Sequence, residues 1–425
     1  MDELYVAVTT LFPRSRKFRR FLGRFLLAGF AVVIALALDI APSVPPSKAP
    51  NAEQARRARD VALTVQRALR DNNGLATVRF NNDDLASATT LTTDIRKFGR
   101  FDSMIGNRTL TLRNSRRFGF IWLNGEATLS SSLKGFPEIR LKIGQLPLGP
   151  SVSRWVIDTA RSLIRWRGVK VPPLDDLVRK VDVQPDSVSA QIYFPLGSAF
   201  ASDLSALRSQ PVDAALTALL YCRSIALNRT APTNEMALVV RRTFAPTTST
   251  LAFTEQNRAA FVALAIYVTG RSAGRLAGDA AKRVNACRAA RTEPFLVGRT
   301  DLAKHWALSA ALTVALGDEI GTAMGEWKEL SDSRPGGSGF SFVDLAADRA
   351  GIAIAKRATD PISADDAVAQ LRIAIDNDLL PVRALALSEG LSERDFVTSY
   401  RAIDSARFAA AKARIDHVIA QTVGR

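Results

Sequence analysis

Residues 299–351 contain the side chains best suited to metal binding or to acid–base chemistry. The candidate catalytic residues are His305, Glu326, Glu329, Asp344 and Asp348. An imidazole grouped with carboxylates can bind a divalent cation, and it can also donate and accept protons. The stretch has no His-x-x-x-His pair and no cysteine, so the sequence identifies neither a particular metal nor a cofactor.

Helical periodicity suggests how these residues could meet. Residues 301–330 predict one long helix, and at about 100° per residue one stripe of it is polar. The members of that stripe are Asp301, His305, Ser309, Glu319 and Glu326. The glycine-rich turn at 336–339 would reverse the chain. A second helix, starting after Ser341, would place Asp344 and Asp348 on one face. The resulting helical hairpin could bring these carboxylates to the imidazole.

A purely structural interpretation of the same residues stays open. A capped helical hairpin can contain a hydrogen-bonded histidine and ion pairs such as Lys328 with Asp332, four residues apart. The other histidine, His417, lies in a charged C-terminal helix, where we expect it on the surface. A serine nucleophile is not indicated, because no segment resembles a nucleophile elbow.

The same stretch resembles the VanZ-like proteins and the related small periplasmic lipoproteins. Their pattern is Asp-Lys-x-x-His, a later Glu, then Gly-Phe-Ser-x-x-Asp-x-x-Ala-Asn-x-x-Gly. Here residues 301–305 read DLAKH, Glu326 or Glu329 follows, and residues 339–351 read GFSFVDLAADRAG. In this chain the lysine directly precedes the histidine, Asp348 stands at the asparagine position, and the helix is too polar to span a membrane. The resemblance implies which residues matter but no particular reaction.

An apolar segment near the N-terminus predicts a membrane anchor. Residues 21–40 are largely apolar, with Arg24 near one end, and nearly long enough to cross a bilayer core of about 30 Å. Basic residues precede the segment, which places residues 1–20 in the cytoplasm and the remainder in the periplasm, outside the inner membrane. The Pro-rich residues 41–51 would form a stalk. A cleaved signal peptide, with a small-x-small site at 35–37, is the alternative, and it also exports the body.

Residues 52–197 predict an α+β domain with an antiparallel sheet and helices. A helix at 52–70 precedes segments in which apolar and polar side chains alternate with a period of two. Asn124-Gly125 lies between apolar runs and predicts a hairpin turn. The expected strands are 76–80, 108–113, 118–133, 138–143 and 181–195, and a further helix is expected at 153–166.

The order of these elements resembles the tubular lipid-binding (TULIP-like) proteins of bacterial envelopes. The matching pieces are Phe80–Leu91, Ile139–Leu148 and Ser153–Ile164. The resemblance implies a curved sheet around a helix and an apolar cleft for an acyl chain. Alternatively, the strands bury only their own core. Four aromatic residues could mark a membrane contact or belong to that core: Phe120, Trp122, Trp155 and Trp166.

Residues 200–425 predict an all-α domain rich in alanine. Cys222 and Cys287 both lie in it, and an oxidising compartment would allow them to pair, although their spacing alone does not show that they meet. The expected helices are 201–208, 211–227, 234–243, 255–270, 272–290, 301–330, 342–358, 363–377, 380–387 and 392–423.

The charge of the chain indicates the class of partner. A formal net charge of +16 favours anionic lipid or acidic polysaccharide. Nucleic acid is not expected, because there is no zinc-finger spacing, no RNA-binding aromatic motif and no compact basic tract outside the N-terminus. The sequence thus favours a membrane-anchored extracytoplasmic envelope protein that binds or scaffolds lipid or an acidic envelope component. The alternatives are an envelope hydrolase, with or without a metal, centred on His305 and the nearby carboxylates, and a structural protein that links the inner membrane to a partner.

Overall fold

The computed structural model describes residues 16–71, 74–95, 99–166, 171–193, 212–278, 280–287 and 292–423. The helix expected at 201–208 lies outside these residues, as does most of the expected cytoplasmic segment 1–20. Within the described residues the chain is α+β, with antiparallel sheets followed by a C-terminal helical region, as the sequence predicts.

The first described element is a helix, α1 (Arg16–Ala37), which leads into a short strand, β1 (Leu38–Asp39). The side chains of residues 27–36 are all exposed. Among the described residues, no helix combines the length and the apolar character needed to cross a membrane. The anchor expected at 21–40 remains a prediction.

The α+β unit begins with α2 (Ala52–Asp71), whose bounds match the sequence pattern, followed by β2 (Leu75–Asn81) and α3 (Asn82–Asp94). The start of α3 is fixed by a reciprocal pair of hydrogen bonds. The Asn81 side chain accepts from the Asp84 amide, and the Asp84 carboxylate accepts from the Asn81 amide.

The larger sheet is antiparallel in the order β3-β4-β5-β6-β7, and β1 pairs with β5. Its strands are β3 (Arg100–Gly106), β4 (Thr109–Phe118), β5 (Ile121–Leu129), β6 (Ile139–Ile143) and β7 (Leu146–Leu148). The next helix, α4 (Pro150–Trp166), is tied to β6 by the Ser153 hydroxyl, which accepts from the Leu141 amide at 2.9 Å. Phe120, Trp155 and Trp166 are exposed.

The hairpin turn expected at Asn124-Gly125 is wrong, because both residues lie inside β5. The turn between β4 and β5 is at Gly119, where φ is +62°. Asn124 is buried and its side chain is used in tertiary contacts. It accepts from the Ser115 hydroxyl at 2.6 Å and donates to the Asp39 carboxylate at 2.7 Å. Asn124 therefore fastens the chain around β1 to the sheet, and the Asn-Gly pair does not reverse the chain.

The smaller sheet has the order β2-β9-β8. After a short helix, α5 (Leu174–Leu177), the strands β8 (Val178–Val183) and β9 (Ser187–Tyr193) form a hairpin, in place of the single strand predicted at 181–195. One small apolar cluster joins the two sheets, and its buried members are Ile105, Val181, Val183 and Val188.

The C-terminal region contains eleven described α-helices and three 3₁₀ turns. The helices are α6 (Ala214–Thr230), α7 (Met236–Thr243), α8 (Phe253–Thr269), α9 (Ala280–Arg283), α10 (Thr300–Leu316), α11 (Asp318–Asp332), α12 (Phe342–Thr359), α13 (Ala364–Leu371), α14 (Asp376–Leu379), α15 (Glu393–Tyr400) and α16 (Ala406–Val423). The 3₁₀ turns are Arg271–Ala277, Val284–Ala286 and Val382–Ala386. The main core of the protein lies here, and its largest buried side chains include Phe261, Trp306 and Phe340.

Several helices expected from periodicity are interrupted. The predicted helix 301–330 is wrong, since Gly317 has a φ of +98° and separates α10 from α11. Segments 272–290 and 392–423 are also divided into shorter helices. The break in segment 272–290 lies near Gly278. The chain can therefore change direction between His305 and the acidic residues that follow it.

Cys222 of α6 and Cys287 form a disulfide, with their Cα atoms 5.5 Å apart. The bond decides the pairing that the sequence left open. It fastens α6 to the chain that leads toward α10.

Helix α2 connects the two units. Ala52 and Ala55 are buried in the core of the helical region, and Arg59 donates to the Asp332 carboxylate at 2.6 Å. The ring N–H of Trp327 donates to Asp94 at the end of α3 at 2.9 Å. The α+β unit and the helical unit thus share an interface along α11.

Candidate metal centre

The candidate centre lies where α10, α11 and α12 meet, and two glycines allow the close approach of these helices. A Cβ atom at Gly351 of α12 would lie 2.2 Å from the carbonyl oxygen of Trp306. A Cβ atom at Gly325 of α11 would lie 2.7 Å from Oδ2 of Asp348. Larger residues would separate the helices, because the interior is close-packed. This packing places Asp348 beside His305.

His305 is buried, and its two ring nitrogens have different partners. Nδ1 lies 3.0 Å from Oδ1 of Asp348, an oxygen that also accepts the Ser309 hydroxyl at 2.6 Å. Nε2 lies 3.3 Å from Oδ2 of Asp344 and 3.8 Å from Oε1 of Glu329. In the tautomer in which Nδ1–H donates a hydrogen bond to Asp348, the lone pair of Nε2 points toward the other two carboxylates.

Three potential ligand atoms converge on that side of the imidazole. His305, Glu329 and Asp344 are all buried, and each offers one nitrogen or oxygen, with the three atoms within 4.8 Å of one another. Within the described parts of the chain, no other group of three His, Cys, Asp or Glu residues has this geometry.

Ser341 positions both of the carboxylates. Its hydroxyl caps α12 by accepting from the Asp344 amide at 3.0 Å, and its own amide donates to Oε2 of Glu329 at 3.0 Å. The turn before it depends on Gly339, where φ is +88° and a Cβ atom would lie 2.4 Å from the backbone of Gly390. The predicted glycine-rich turn and the Ser341 cap are confirmed.

Lys328 is the basic group nearest to the cluster. Its Nζ lies 2.8 Å from Oε1 of Glu329, 2.9 Å from Oδ2 of Asp332 and 3.9 Å from Oδ2 of Asp344. The ion pair with Asp332 matches the four-residue spacing in the sequence. Lys328 thus neutralises part of the carboxylate charge from one side.

Arg299 contacts the other oxygen of the Asp344 carboxylate, Oδ1. Its guanidinium donates to Asp301 at 2.6 Å, to Glu389 at 2.8 Å and to Asp344 at 3.4 Å. A pocket of about 460 Å³ opens beside these groups, and its walls include His305, Asp344, Lys328 and Lys304. His305 and Asp344 therefore line this pocket, whereas the third ligand residue, Glu329, is fully buried.

The acidic groups of this region outnumber the basic ones. In the described structure, the cationic side chains are Arg59, Arg299, Lys304 and Lys328, joined by His305 when it is protonated. They stand against a larger acidic set: Asp301, Glu329, Asp332, Asp344, Asp348 and Glu389. An excess of carboxylates around a pocket favours the binding of a cation.

The buried groups have shifted pKa values. Burial disfavours the charged imidazole, but the carboxylates of Asp348 and Asp344 outweigh it and raise the pKa of His305 to about 9. Burial raises the pKa of Glu329 to about 7, against the opposing effect of Lys328. Burial also raises the pKa of Asp344. Without a metal, a proton on His305 holds the carboxylates together.

One oxygen of the cluster has no partner. Oδ2 of Asp348 is buried and accepts no hydrogen bond from the described residues, while Oδ1 accepts two. A buried carboxylate oxygen without a hydrogen bond is costly, so this atom lacks the compensation for burial that Oδ1 has.

The structure brings together four of the five residues singled out in the sequence, and leaves Glu326 apart. Oε1 of Glu326 accepts from Lys412 of α16 at 2.7 Å. Glu319 is exposed, and Asp301 binds Arg299 at the rim. The reason is the break at Gly317, which destroys the common stripe predicted for a single helix.

Sequence reasoning missed Arg299 and Glu389. Arg299 directly precedes the start of α10, and Glu389 comes from a loop ninety residues later in the chain. Helical periodicity cannot indicate either contact, because neither side chain belongs to a helix of the hairpin.

Comparison of the chain with protein-family models, curated proteins and solved structures gives no match. The resemblances to VanZ-like and TULIP-like proteins therefore stay predictions.

Proposed function

We propose that this protein binds a divalent cation through His305, Glu329 and Asp344 and uses it in a hydrolytic reaction. The observation that carries the proposal is the convergence of the three ligand atoms within 4.8 Å beside an open pocket. Metal–ligand bonds of roughly 2.0–2.2 Å place neighbouring ligand atoms about 3–4 Å apart. The separations of 3.3 and 3.8 Å around Nε2 of His305 fit this requirement.

The surroundings of the ligands also suit a metal. Metal-binding histidines commonly donate their second N–H to a carboxylate, which fixes the tautomer and orients the ring. Asp348 is placed to do this at 3.0 Å from Nδ1, and Ser309 binds the same oxygen. A cation would replace the proton that His305 otherwise carries.

The pocket supports hydrolysis as the reaction class. Three protein ligands leave coordination positions open, and a metal ion lowers the pKa of a water bound there. Lys304 and Lys328 line the same pocket and can orient a polar or anionic substrate. The alternative role, binding or scaffolding of lipid or an acidic envelope component, stays a prediction.

The test is metal binding by the full chain after treatment with a chelator. We expect one equivalent of Zn²⁺ or Mn²⁺ by elemental analysis and calorimetric titration, lost in His305→Ala and Asp344→Asn. His417→Ala is the matched control, because that exposed histidine contacts Gln421 far along α16. Binding that survives in His305→Ala, or no binding at all, would overturn the proposal.

A second assay separates hydrolysis from binding. Generic chromogenic esters and phosphoesters should be turned over only with metal, and Asp344→Asn should abolish the turnover. If the metal-loaded protein turns over none of these substrates, the centre is a metal-binding site without hydrolytic activity.

We also propose attachment to the inner membrane through residues 21–40, with the body in the periplasm. Two observations support this proposal: the exposed apolar side chains of α1, and the disulfide, which is typical of oxidising compartments. Without protease, the body should sediment with the membrane fraction. Protease added to intact spheroplasts should digest it. A body protected from that protease would contradict the proposed orientation.

A further inference from the structure

The C-terminal end of α1 is fastened to one particular end of the larger sheet. β1 follows α1 directly and pairs antiparallel with β5, with Leu38 opposite Leu123 and Asp39 opposite Trp122. The amide of Gln145, in the turn between β6 and β7, donates to the carbonyl of Leu36 at 2.8 Å. Because β5 starts at Ile121, this is the end of the sheet at which the β4–β5 turn lies.

That turn presents aromatic side chains to solvent. Phe120 is 85 % exposed and Phe118 is 47 % exposed, and Ile40, which follows β1 toward the same end, is 91 % exposed. Large apolar side chains grouped in this way usually mark a contact surface. Ile40 lies three residues after the end of α1, whose own apolar side chains at positions 27–36 are exposed.

Basic side chains flank these aromatic residues. Arg116 lies with its guanidinium 5.2 Å from the ring centre of Phe118, and Arg117 donates to the carbonyl of Gly119 at 2.7 Å. Both arginines are exposed. Exposed phenylalanine rings can be buried at the boundary between lipid headgroups and acyl chains, and arginine favours anionic headgroups.

We propose that the β4–β5 turn is a second membrane contact. Phe118 and Phe120 enter the interfacial layer of the same bilayer as α1, while Arg116 and Arg117 meet anionic phospholipid headgroups. The proposal rests on the membrane attachment of α1 proposed above. It adds that the sheet is held against the bilayer surface and does not hang from a flexible stalk.

The test is the depth of single fluorescent labels in reconstituted full-length protein. Cys222 and Cys287 are paired, so a label attaches only to an introduced cysteine. Phe120→Cys reports the turn, Phe30→Cys reports α1, and Ile362→Cys is the solvent control, at a residue 94 % exposed in the helical unit. Vesicles contain brominated lipids with and without anionic headgroups.

We expect bromolipid quenching at positions 30 and 120 to be severalfold greater than at position 362. Quenching at 120 should decrease when the anionic lipid is omitted or when Arg116 and Arg117 are both changed to Gln. Quenching at 30 together with no more quenching at 120 than at 362 would overturn the second contact and leave the anchor intact. Absence of quenching at both 30 and 120 would overturn the anchor itself.

Discussion

At the scale of single residues, Asp348 acts on the centre through His305. It holds Nδ1 and lies outside the set of three ligand atoms. Asp348→Asn keeps the shape of the side chain but removes the charge, so we expect metal affinity to decrease about 10–100-fold. Calorimetric titration measures the change, and Asp365→Asn, at an exposed position of α13, is the control. Equal affinity in the variant and the wild type would show that Asp348 has no such role.

Glu326 should affect the stability of the fold but not the binding of metal, unlike the other four candidates. Burial raises the pKa of its carboxyl above the ordinary value of 4.5, against the opposing effect of Lys412. A raised carboxyl pKa in the folded state contributes stability at low pH that is lost as pH rises through the folded pKa.

The Glu326→Gln variant tests this difference. Between pH 4 and pH 8, the melting temperature of the variant should rise relative to that of the wild type as the pH increases, because glutamine does not ionise. Metal affinity should stay at the wild-type value. A loss of metal in this variant would mean that Glu326 belongs to the centre after all.

The candidate residues could be found in the sequence because four-residue spacing is preserved within each helix. Asp344 and Asp348 share a face of α12, and His305 and Ser309 share a face of α10. The position of Arg299 could not be found, since its three carboxylate partners come from separate parts of the chain.

At the scale of elements, the packing of α10 against α12 depends on Gly351. Gly351→Ala should raise helix propensity, yet its Cβ would lie 2.2 Å from the Trp306 carbonyl oxygen and force α12 outward. We expect a loss of about 1–3 kcal/mol in the free energy of unfolding, together with weaker metal binding.

Denaturant unfolding measures the first effect and titration the second. Gly149→Ala is the control, because no atom lies within 4 Å of a Cβ placed there. A stabilised Gly351→Ala variant that binds metal normally would contradict the close packing of these helices.

The ends of elements were harder to predict than their existence. The alternating patterns of β4 and β6 and the helix α2 follow from the sequence. Gly317 ends α10 through its backbone conformation, and Asn124 serves buried contacts in place of a turn. The contacts of Asn124 are with Asp39 and Ala41, residues distant in sequence, which a local pattern does not contain.

At the scale of the whole molecule, the disulfide stabilises the helical unit. Replacing Cys222 and Cys287 by serine should reduce the free energy of unfolding by about 2–4 kcal/mol. Thermal unfolding with and without a reductant measures the loss. The reductant should lower the melting temperature of the wild type and leave that of the double variant unchanged. A wild type insensitive to the reductant would contradict a stabilising bond.

The two units are connected around the centre. α2 binds Asp332 through Arg59, and Asp332 binds Lys328, the basic group nearest to the metal ligands. The α+β unit and the cluster are therefore joined through side chains of α2 and α11.

The most direct test of the central claim is anomalous X-ray diffraction from crystals of the protein soaked in Zn²⁺. We predict one strong anomalous peak at roughly 2.0–2.2 Å from Nε2 of His305, with Glu329 and Asp344 as the other protein ligands. A crystal in which this position is empty, while His305 stays hydrogen-bonded to the carboxylates and zinc binds only elsewhere, would contradict the assignment of a metal centre.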